Sequence, residues 1–450
     1  MISRKKVVRV VALGAALAVV GSGALSGCSD AQPSDGPQSA SFTYWSMWKE
    51  GEPQQKVIAE AIEDFTAETG IEVDVQWSGR EVMKQIQPRL EAGNPPDLFD
   101  QSGSGVWGTF GSNNGVQGLA DVYESTPIGE SEKIGDLIPA SLAELYTTED
   151  GEPLLVPYSV TGVTTWYNCL TDKVDAPLTW DDFTALADEL KAEGRPAIAV
   201  DGDVAYYEMY WLAHSVARHG GAHVLDAVAA DATGEAAEDP AILAAVEDLW
   251  PLLQGGYLPD DFAGTTYPAQ QTAWADGSSG AAFLAMGAWA PSETGSALEK
   301  SGIDVDSTIE YCSMPYPTVE GGKGNDLTWV DDFGFAIPSK ARNSDAAKEF
   351  IRYFMGKDTL QAFATDSASL ASRGDLEVPA QLTDFAAQVA SSAETSQLVP
   401  NLDGSAVNST WSGEVLYPTV ADLFNKKFES PEAFVAALKQ RTIDTLAAQG

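Results

Sequence analysis

The chain has 450 residues, of which 66 are acidic and 26 basic, giving a formal net charge of −40, and 44% of the residues are hydrophobic. This length is sufficient for two or three compact units. The charge disfavours nucleic acid as a partner, because phosphate binding requires clustered Lys and Arg, and it argues weakly against an anionic ligand.

The first 27 residues have the pattern of a secretory signal peptide. Arg4, Lys5, Lys6 and Arg9 form a basic head, and residues 10–20 form an almost unbroken apolar run. That run is shorter than the roughly 20 residues that span a bilayer core. We therefore predict that segment 1–27 is a leader that is removed after export.

The leader ends in Leu25-Ser26-Gly27-Cys28, which resembles the bacterial lipoprotein box. The resemblance implies that Cys28 carries a diacylglycerol anchor and becomes the first residue of the mature chain. An ordinary signal peptide followed by a bystander cysteine is the alternative. Residues 28–40 are rich in Ser, Pro, Asp and Gly and predict a flexible tether.

The two other cysteines, Cys169 and Cys312, lie in strand-like segments. Export permits a disulfide between them, but two separate buried thiols fit the sequence as well. With three histidines and no Cys-x-x-Cys pair, we predict neither a zinc site nor a cofactor. A calcium ion bound among the many carboxylates stays open.

The N-terminal region predicts alternating strands and helices. Residues 41–47 and 71–77 have strand composition, and residues 53–70 place apolar side chains on one helical face between Pro53 and Gly70. Helical spacing returns at 82–90, and GNPPDLF leads into a third strand. This β-α-β-α-β order predicts a largely parallel α/β sheet.

The remaining chain adds further helices and buried strands. Periodicity predicts helices at 178–194, 240–257 and 344–356, the first with Thr179 as N-cap, and short strands at 280–289 and 333–340.

Several tryptophans lie beside turn signals, where a ligand could reach them: Trp45, Trp48, Trp107, Trp289, Trp329 and Trp411. Sugar-binding sites stack sugar rings on Trp or Tyr and hydrogen-bond the hydroxyl groups with polar side chains. Half-buried packing is the alternative interpretation for each of them.

A series of segments resembles the family 1 extracellular solute-binding proteins, the carbohydrate receptors of ATP-binding-cassette (ABC) importers. The resemblance covers 41–445 and rests on the order and spacing of FTYWSMWKEGEP, LEAGNPPDLF, EPLLVPYSVTGVTTWYN, MGAWAP, MPYP and FGFAIPSKARNSDAAKEFIRYFMG.

This resemblance implies an α/β fold of two lobes that close on the ligand about a hinge. Lobe 1 would comprise 41–158 and 333–385, and lobe 2 would comprise 159–332 and 386–450. It also implies a monomer on the extracellular face of a Gram-positive cell membrane, which binds an oligosaccharide, delivers it to the permease subunits and catalyses no reaction.

By the same resemblance, ligand contacts are expected from the loop after the first strand, the loop after PDLF and the MGAW turn. The expected ligand-binding residues are Trp45, Trp48, Lys49, Glu50, Gln101, Ser102, Tyr167, Tyr207, Trp289, Asp332 and Trp411. Trp211 lies, like Tyr207, in a stretch that faces the cleft in the family, and helix packing is the alternative interpretation for both residues. The segment DQSGSGVW departs from the maltose-type pattern, so either Trp107 replaces a stacking tryptophan there or that part of the site is polar.

Three alternatives stay open. A surface glycoside hydrolase would need a suitable pair of carboxylates, a receptor could take a polyol, peptide or polyamine instead of a sugar, and a lectin would lack a large hinge motion.

Overall fold

The computed structural model describes residues 41–111, 113–395 and 397–449. The predicted leader, the lipidated Cys28 and the tether lie outside these residues. Within the described residues, no helix is both long and apolar enough to cross a membrane.

The described strands form one mixed sheet. They are β1 (Ser41–Ser46), β2 (Glu72–Trp77), β3 (Leu98–Ser102), β4 (Val156–Asn168), β5 (Ile198–Ala199), β6 (Phe283–Gly287), β7 (Tyr311–Met314), β8 (Thr328–Ala336), β9 (Leu370–Ala371) and β10 (Leu398–Val399).

Helices pack around this sheet. They are α1 (Pro53–Thr69), α2 (Val82–Glu91), α3 (Gly103–Phe110), α4 (Ala120–Tyr123), α5 (Ile134–Leu137), α6 (Ala140–Ala143), α7 (Trp180–Ala192), α8 (Ala205–Gly220), α9 (Val224–Ala230), α10 (Pro240–Gly255), α11 (Ala269–Ala275), α12 (Ala290–Lys300), α13 (Val305–Thr308), α14 (Ser344–Phe354), α15 (Lys357–Asp366), α16 (Thr383–Glu394), α17 (Ser405–Trp411), α18 (Tyr417–Phe424) and α19 (Pro431–Gln449). Single turns of 3₁₀ helix lie at Glu144–Tyr146, Glu235–Glu238, Phe262–Gly264 and Ala380–Leu382, and a π-helical turn lies at Ser412–Leu416.

The α/β class is confirmed, but the sheet is mixed and not largely parallel as predicted. The order β2-β1-β3 is parallel, as the β-α-β-α-β pattern predicts. Strand β8 runs antiparallel to β3 and β4, and β4 runs antiparallel to β6 and β7. The short strands β10 and β5 pair in parallel with β8 and β6. The sequence did not indicate this change of direction, because β4 and β8 are separated by about 160 residues.

Strand β4 changes partner halfway along its length. Its first half pairs with β8 as far as Gly162, and from Val163 it pairs with β6 and then β7. All 13 residues of β4 are buried, which is typical of a strand covered on both faces. The sheet is therefore continuous across the middle of the fold, and the predicted lobe boundaries stay a prediction.

Local signals fix the ends of the predicted helices. Helix α1 begins at Pro53 and ends before Gly70, whose φ of 73° is the left-handed conformation that glycine tolerates best. Helix α7 begins with a capping box in which Thr179 and Asp182 bond each other's backbone N–H. Both helices confirm the sequence prediction.

Cys169 and Cys312 form a disulfide, with their Cα atoms 5.8 Å apart. The two cysteines lie beside the paired residues Asn168 of β4 and Tyr311 of β7. The bond links two segments that are 143 residues apart in sequence.

Candidate functional site

A cavity of about 1010 Å³ lies where several strands end or cross. Its walls come from the segment after β1, the end of β3, the middles of β4 and β8, the start of α8 and the turn after β6. The carboxyl ends of strands are the usual ligand position in α/β sheets. We take this cavity as the candidate binding site.

Seven of the predicted ligand-binding residues line the cavity: Trp48, Lys49, Glu50, Gln101, Ser102, Tyr207 and Trp289. They come from four separate parts of the chain, which the fold brings to one place. Four others do not line it: Trp45, Tyr167, Asp332 and Trp411.

Two of the four residues that do not line the cavity, Trp45 and Asp332, lie on strands. Trp45 lies on β1, partly buried against the core, with the guanidinium of Arg89 5.6 Å from its ring. Asp332 lies on β8 beside Asp331, which does line the cavity. Because successive residues of a strand point to opposite faces, the predicted position is one residue away from the one that reaches the cavity.

The other two belong to the core. Tyr167 is 8% exposed and lies near the end of β4, opposite Cys312. Trp411 is completely buried, and its Nε1 donates a hydrogen bond to Thr442 Oγ1 at 2.9 Å. Trp211 is also fully buried. It therefore packs in the core, which was one of the two roles considered for it.

Hydrogen bonds hold Trp48 at one end of the cavity. Its Nε1 donates to the Tyr158 hydroxyl at 2.9 Å, and that hydroxyl donates to Asp100 Oδ2 at 2.7 Å. The other oxygen of Asp100 accepts the backbone N–H of Met47 at 2.9 Å. The rings of Phe333 and Trp48 pack in a T-shaped arrangement with their centres 5.3 Å apart, so the loop after β1 is held in a defined position.

Arg80 covers the ring of Trp48 and was not predicted from the sequence. Its Cζ lies 4.5 Å from the ring centre, and its guanidinium makes a two-point ion pair with Glu52 at 3.0 and 3.2 Å. It also donates to the Met47 carbonyl at 2.7 Å. A cation over an aromatic face is favourable, and Glu52 neutralises its charge. No local motif marked Arg80.

A cluster of aromatic rings forms another part of the cavity wall. Tyr206, Tyr207 and Tyr210 of α8 contact one another, and Tyr267 lies 5.9 Å from Tyr207 between ring centres. Tyr210 contacts Trp329 of β8 at 5.4 Å. Tyr206 and Tyr267 are 36% and 42% exposed, unusual values for such large rings. The sequence signal was the cluster AYYEMYW, in which only Tyr207 and Trp211 were considered as ligand contacts.

Asp331 adds a carboxylate to the cavity wall. It accepts hydrogen bonds from the Tyr146 hydroxyl at 2.6 Å and the Ser104 backbone N–H at 3.1 Å, and also from the Ser104 hydroxyl. Burial raises its pKa despite these hydrogen bonds. Burial and the charge of Asp331 raise the pKa of Asp332 well above its usual value.

The segment after β3 is polar where it meets the cavity. Gln101, Ser102 and Ser104 line it, whereas Trp107 does not and packs against Tyr146 with ring centres 6.4 Å apart. Of the two alternatives for the segment DQSGSGVW, this arrangement favours a polar surface over stacking on Trp107.

Among the described residues, no group of three or more His, Cys, Asp or Glu side chains is arranged to hold a metal ion. The cavity is instead lined by aromatic rings, carboxylates, amides and hydroxyls. Such a surface can bind a ligand that offers both apolar faces and many hydrogen-bonding groups.

The bacterial extracellular solute-binding protein family matches residues 49–360. The match covers more than half of the chain, and the chain belongs to this family.

Among characterised relatives, the diacetylchitobiose binding protein NgcE of Streptomyces coelicolor is 23% identical over 291 residues. That similarity covers 63% of this chain and 60% of the relative, so the chain spans about three fifths of the relative's length.

Solved structures share the fold over most of the chain. One, from work on xylan utilisation by the thermophilic bacterium Caldanaerobius polysaccharolyticus, has a TM-score of 0.71 at 19% identity and covers 89% of this chain and 99% of its own. A chitin oligosaccharide binding protein has a TM-score of 0.68 at 20% identity and covers 91% and 99%. The two-lobe fold predicted from the sequence is thereby confirmed.

Proposed function

We propose that this protein binds a neutral oligosaccharide of two to four sugar units in the cavity and delivers it to the permease of an ABC importer. The observation that carries the proposal is the combination of exposed aromatic rings with hydrogen-bonding side chains in one cavity of about 1010 Å³. A volume at the upper end of the range for small-molecule sites favours an oligosaccharide over a single sugar.

The relatives narrow the candidate ligands. The name of one refers to diacetylchitobiose and that of another to chitin oligosaccharides. We therefore propose sugars with N-acetyl groups as the first class to test, with xylan-derived oligosaccharides as the second. In either case Trp289, Tyr207 and Trp48 would contact the sugar, and Gln101, Ser102, Lys49 and Glu50 would hydrogen-bond it.

The test is a thermal-shift screen of the purified protein, because a ligand that binds only the folded state raises the melting temperature. The panel contains N,N′-diacetylchitobiose, xylobiose, cellobiose, a polyol, a dipeptide and a polyamine. We expect a shift with one sugar class, and Trp289→Ala should abolish it. Trp107→Ala is the matched control, since Trp107 does not line the cavity.

Other results would separate the alternatives. A shift only with the polyol, peptide or polyamine would overturn the sugar proposal and keep the receptor. Cleavage of the sugars on long incubation would indicate a glycoside hydrolase instead.

We also propose that the mature protein is a monomer attached to the outer face of the cell membrane through a lipid on Cys28. The lipoprotein-box pattern supports this proposal. Replacing Cys28 by Ala should release the protein into the culture medium, as measured by immunoblotting of cells and medium. Retention of the variant on the cells would contradict the proposal.

A further inference from the structure

Glu293 lies in the first turn of α12, four residues after Trp289. Side chains four residues apart lie on the same face of a helix, and both Glu293 and Trp289 line the cavity. An aromatic ring and a carboxylate are therefore presented together on one wall. Glu293 is not among the ligand-binding residues predicted from the sequence.

Neighbouring side chains fix the carboxylate. Its Oε2 accepts the Tyr267 hydroxyl at 3.1 Å and the Gln271 side-chain amide at 3.2 Å. Within the described part of the chain, no donor bonds its other oxygen, Oε1, and no Lys or Arg forms an ion pair with it. Arg80, which also lines the cavity, is paired with Glu52 instead. Burial raises the pKa of Glu293, and the hydrogen bonds from Gln271 and Tyr267 and the positive charge of Arg80 oppose this rise.

We propose that Glu293 is a specificity-determining residue, which accepts hydrogen bonds from the hydroxyl or amide N–H groups of the sugar ring at Trp289 and rejects sugars that carry a carboxylate. This inference rests on the proposed function. A carboxylate only accepts hydrogen bonds, so a ring rich in donors satisfies it. The carboxylate of a uronic acid offers no donor and adds like-charge repulsion.

The surrounding charges support this selectivity. Asp331 and the exposed Glu50 also line the cavity. The half-buried Asp331 opposes a second negative group more strongly than Glu50, whose charge is screened by solvent. Lys49 and Lys300 border it as well, but both are exposed to solvent, where screening weakens their attraction for an anion.

The test compares cellobiose, xylobiose and N,N′-diacetylchitobiose with cellobiouronic acid, which has the size of cellobiose and one carboxylate. Dissociation constants are measured by calorimetry for the wild type and for Glu293→Gln, Glu293→Asp and Glu299→Gln. Glu299 is an exposed residue of the same helix and is the matched control.

We expect the wild type to prefer the neutral sugars strongly. Glu293→Gln should weaken the tightest neutral sugar by about tenfold to a hundredfold, as for the loss of a hydrogen bond to a charged group. The same change should also reduce the ratio of the dissociation constant of cellobiouronic acid to that of cellobiose. Glu293→Asp should keep the preference, and Glu299→Gln should change neither affinity.

Two results would overturn this inference alone. One is a wild-type protein that binds cellobiouronic acid as tightly as cellobiose, a measurement that needs no variant. The other is a folded Glu293→Gln variant with unchanged affinities. If the wild type binds none of the four sugars and only the polyol, dipeptide or polyamine raises its melting temperature, the proposed function fails and this inference fails with it.

Discussion

At the scale of single residues, the least expected group is Glu208, on α8 next to Tyr207 of the cavity wall. Glu208 is completely buried, and neither carboxyl oxygen receives a hydrogen bond from the described residues. Burial, reinforced by the negative charges of Asp203 and Asp422, raises its pKa to about 8. The folded protein therefore keeps Glu208 protonated at neutral pH.

This pKa predicts a stability that falls as the pH rises. Between pH 4.5, the ordinary pKa of the side chain, and pH 8, the unfolded chain releases the proton and the folded chain keeps it. The free energy of unfolding should thus decrease through this window by on the order of 1 kcal/mol per pH unit. Glu208→Gln removes this titratable group. The melting temperature of the variant minus that of the wild type should therefore increase from pH 5 to pH 8.

The control for this prediction is Glu247→Gln, a change at an exposed residue of α10. Its difference from wild type should be nearly constant over the same range. The high net negative charge also makes stability depend on pH, but that effect is common to all three proteins and cancels in the comparison. A Glu208→Gln difference that does not change with pH would disprove the raised pKa.

At the scale of elements, local sequence patterns predicted where helices begin and end, but they did not predict which distant segments pack against those helices. Thr179 and Gly70 mark helix ends through backbone chemistry within a few residues, which a sequence reveals directly. Arg218, in the last turn of α8, has the pattern of an ordinary exposed C-terminal cation. It is instead 2% exposed and donates hydrogen bonds to the carbonyls of Tyr316, Gly324 and Leu327.

These bonds have a consequence for the cavity. They attach the segment just before β8 to the end of α8, so Trp329 of β8 packs beside Tyr210 of α8. Burial lowers the pKa of Arg218 to about 10, which leaves it charged at neutral pH. A pairing across about 100 residues leaves no periodic signal in the sequence, which is why the aromatic wall was only partly predicted.

At the scale of the whole molecule, the site was predictable only where the family resemblance identified matching segments. Trp48, Gln101 and Trp289 line the cavity, as that resemblance implies. It did not identify Arg80 or Glu293, which lie outside the matching segments, although Glu293 comes only two residues after MGAWAP. Nor could it distinguish Asp331 from Asp332, since one residue of strand register decides which side chain faces the cavity.

The arrangement of the walls predicts how the molecule responds to ligand. Trp48 and Arg80 belong to predicted lobe 1, whereas Tyr207, Trp289 and Glu293 belong to predicted lobe 2. A sugar that contacts both walls binds a closed form more tightly than an open one, and this difference in affinity drives closure. The radius of gyration measured by small-angle X-ray scattering should therefore decrease when a ligand identified by thermal shift is added.

Trp289→Ala is the appropriate comparison, because it removes a contact from one wall and leaves the strands that cross between the predicted lobes unchanged. Its scattering should match that of the ligand-free wild type, with or without sugar. The hinge prediction fails if the ligand raises the melting temperature of the wild type but leaves its radius of gyration unchanged. In that case the cavity would be preformed around its ligand, as expected for a lectin, and the delivery step would need another signal to the permease.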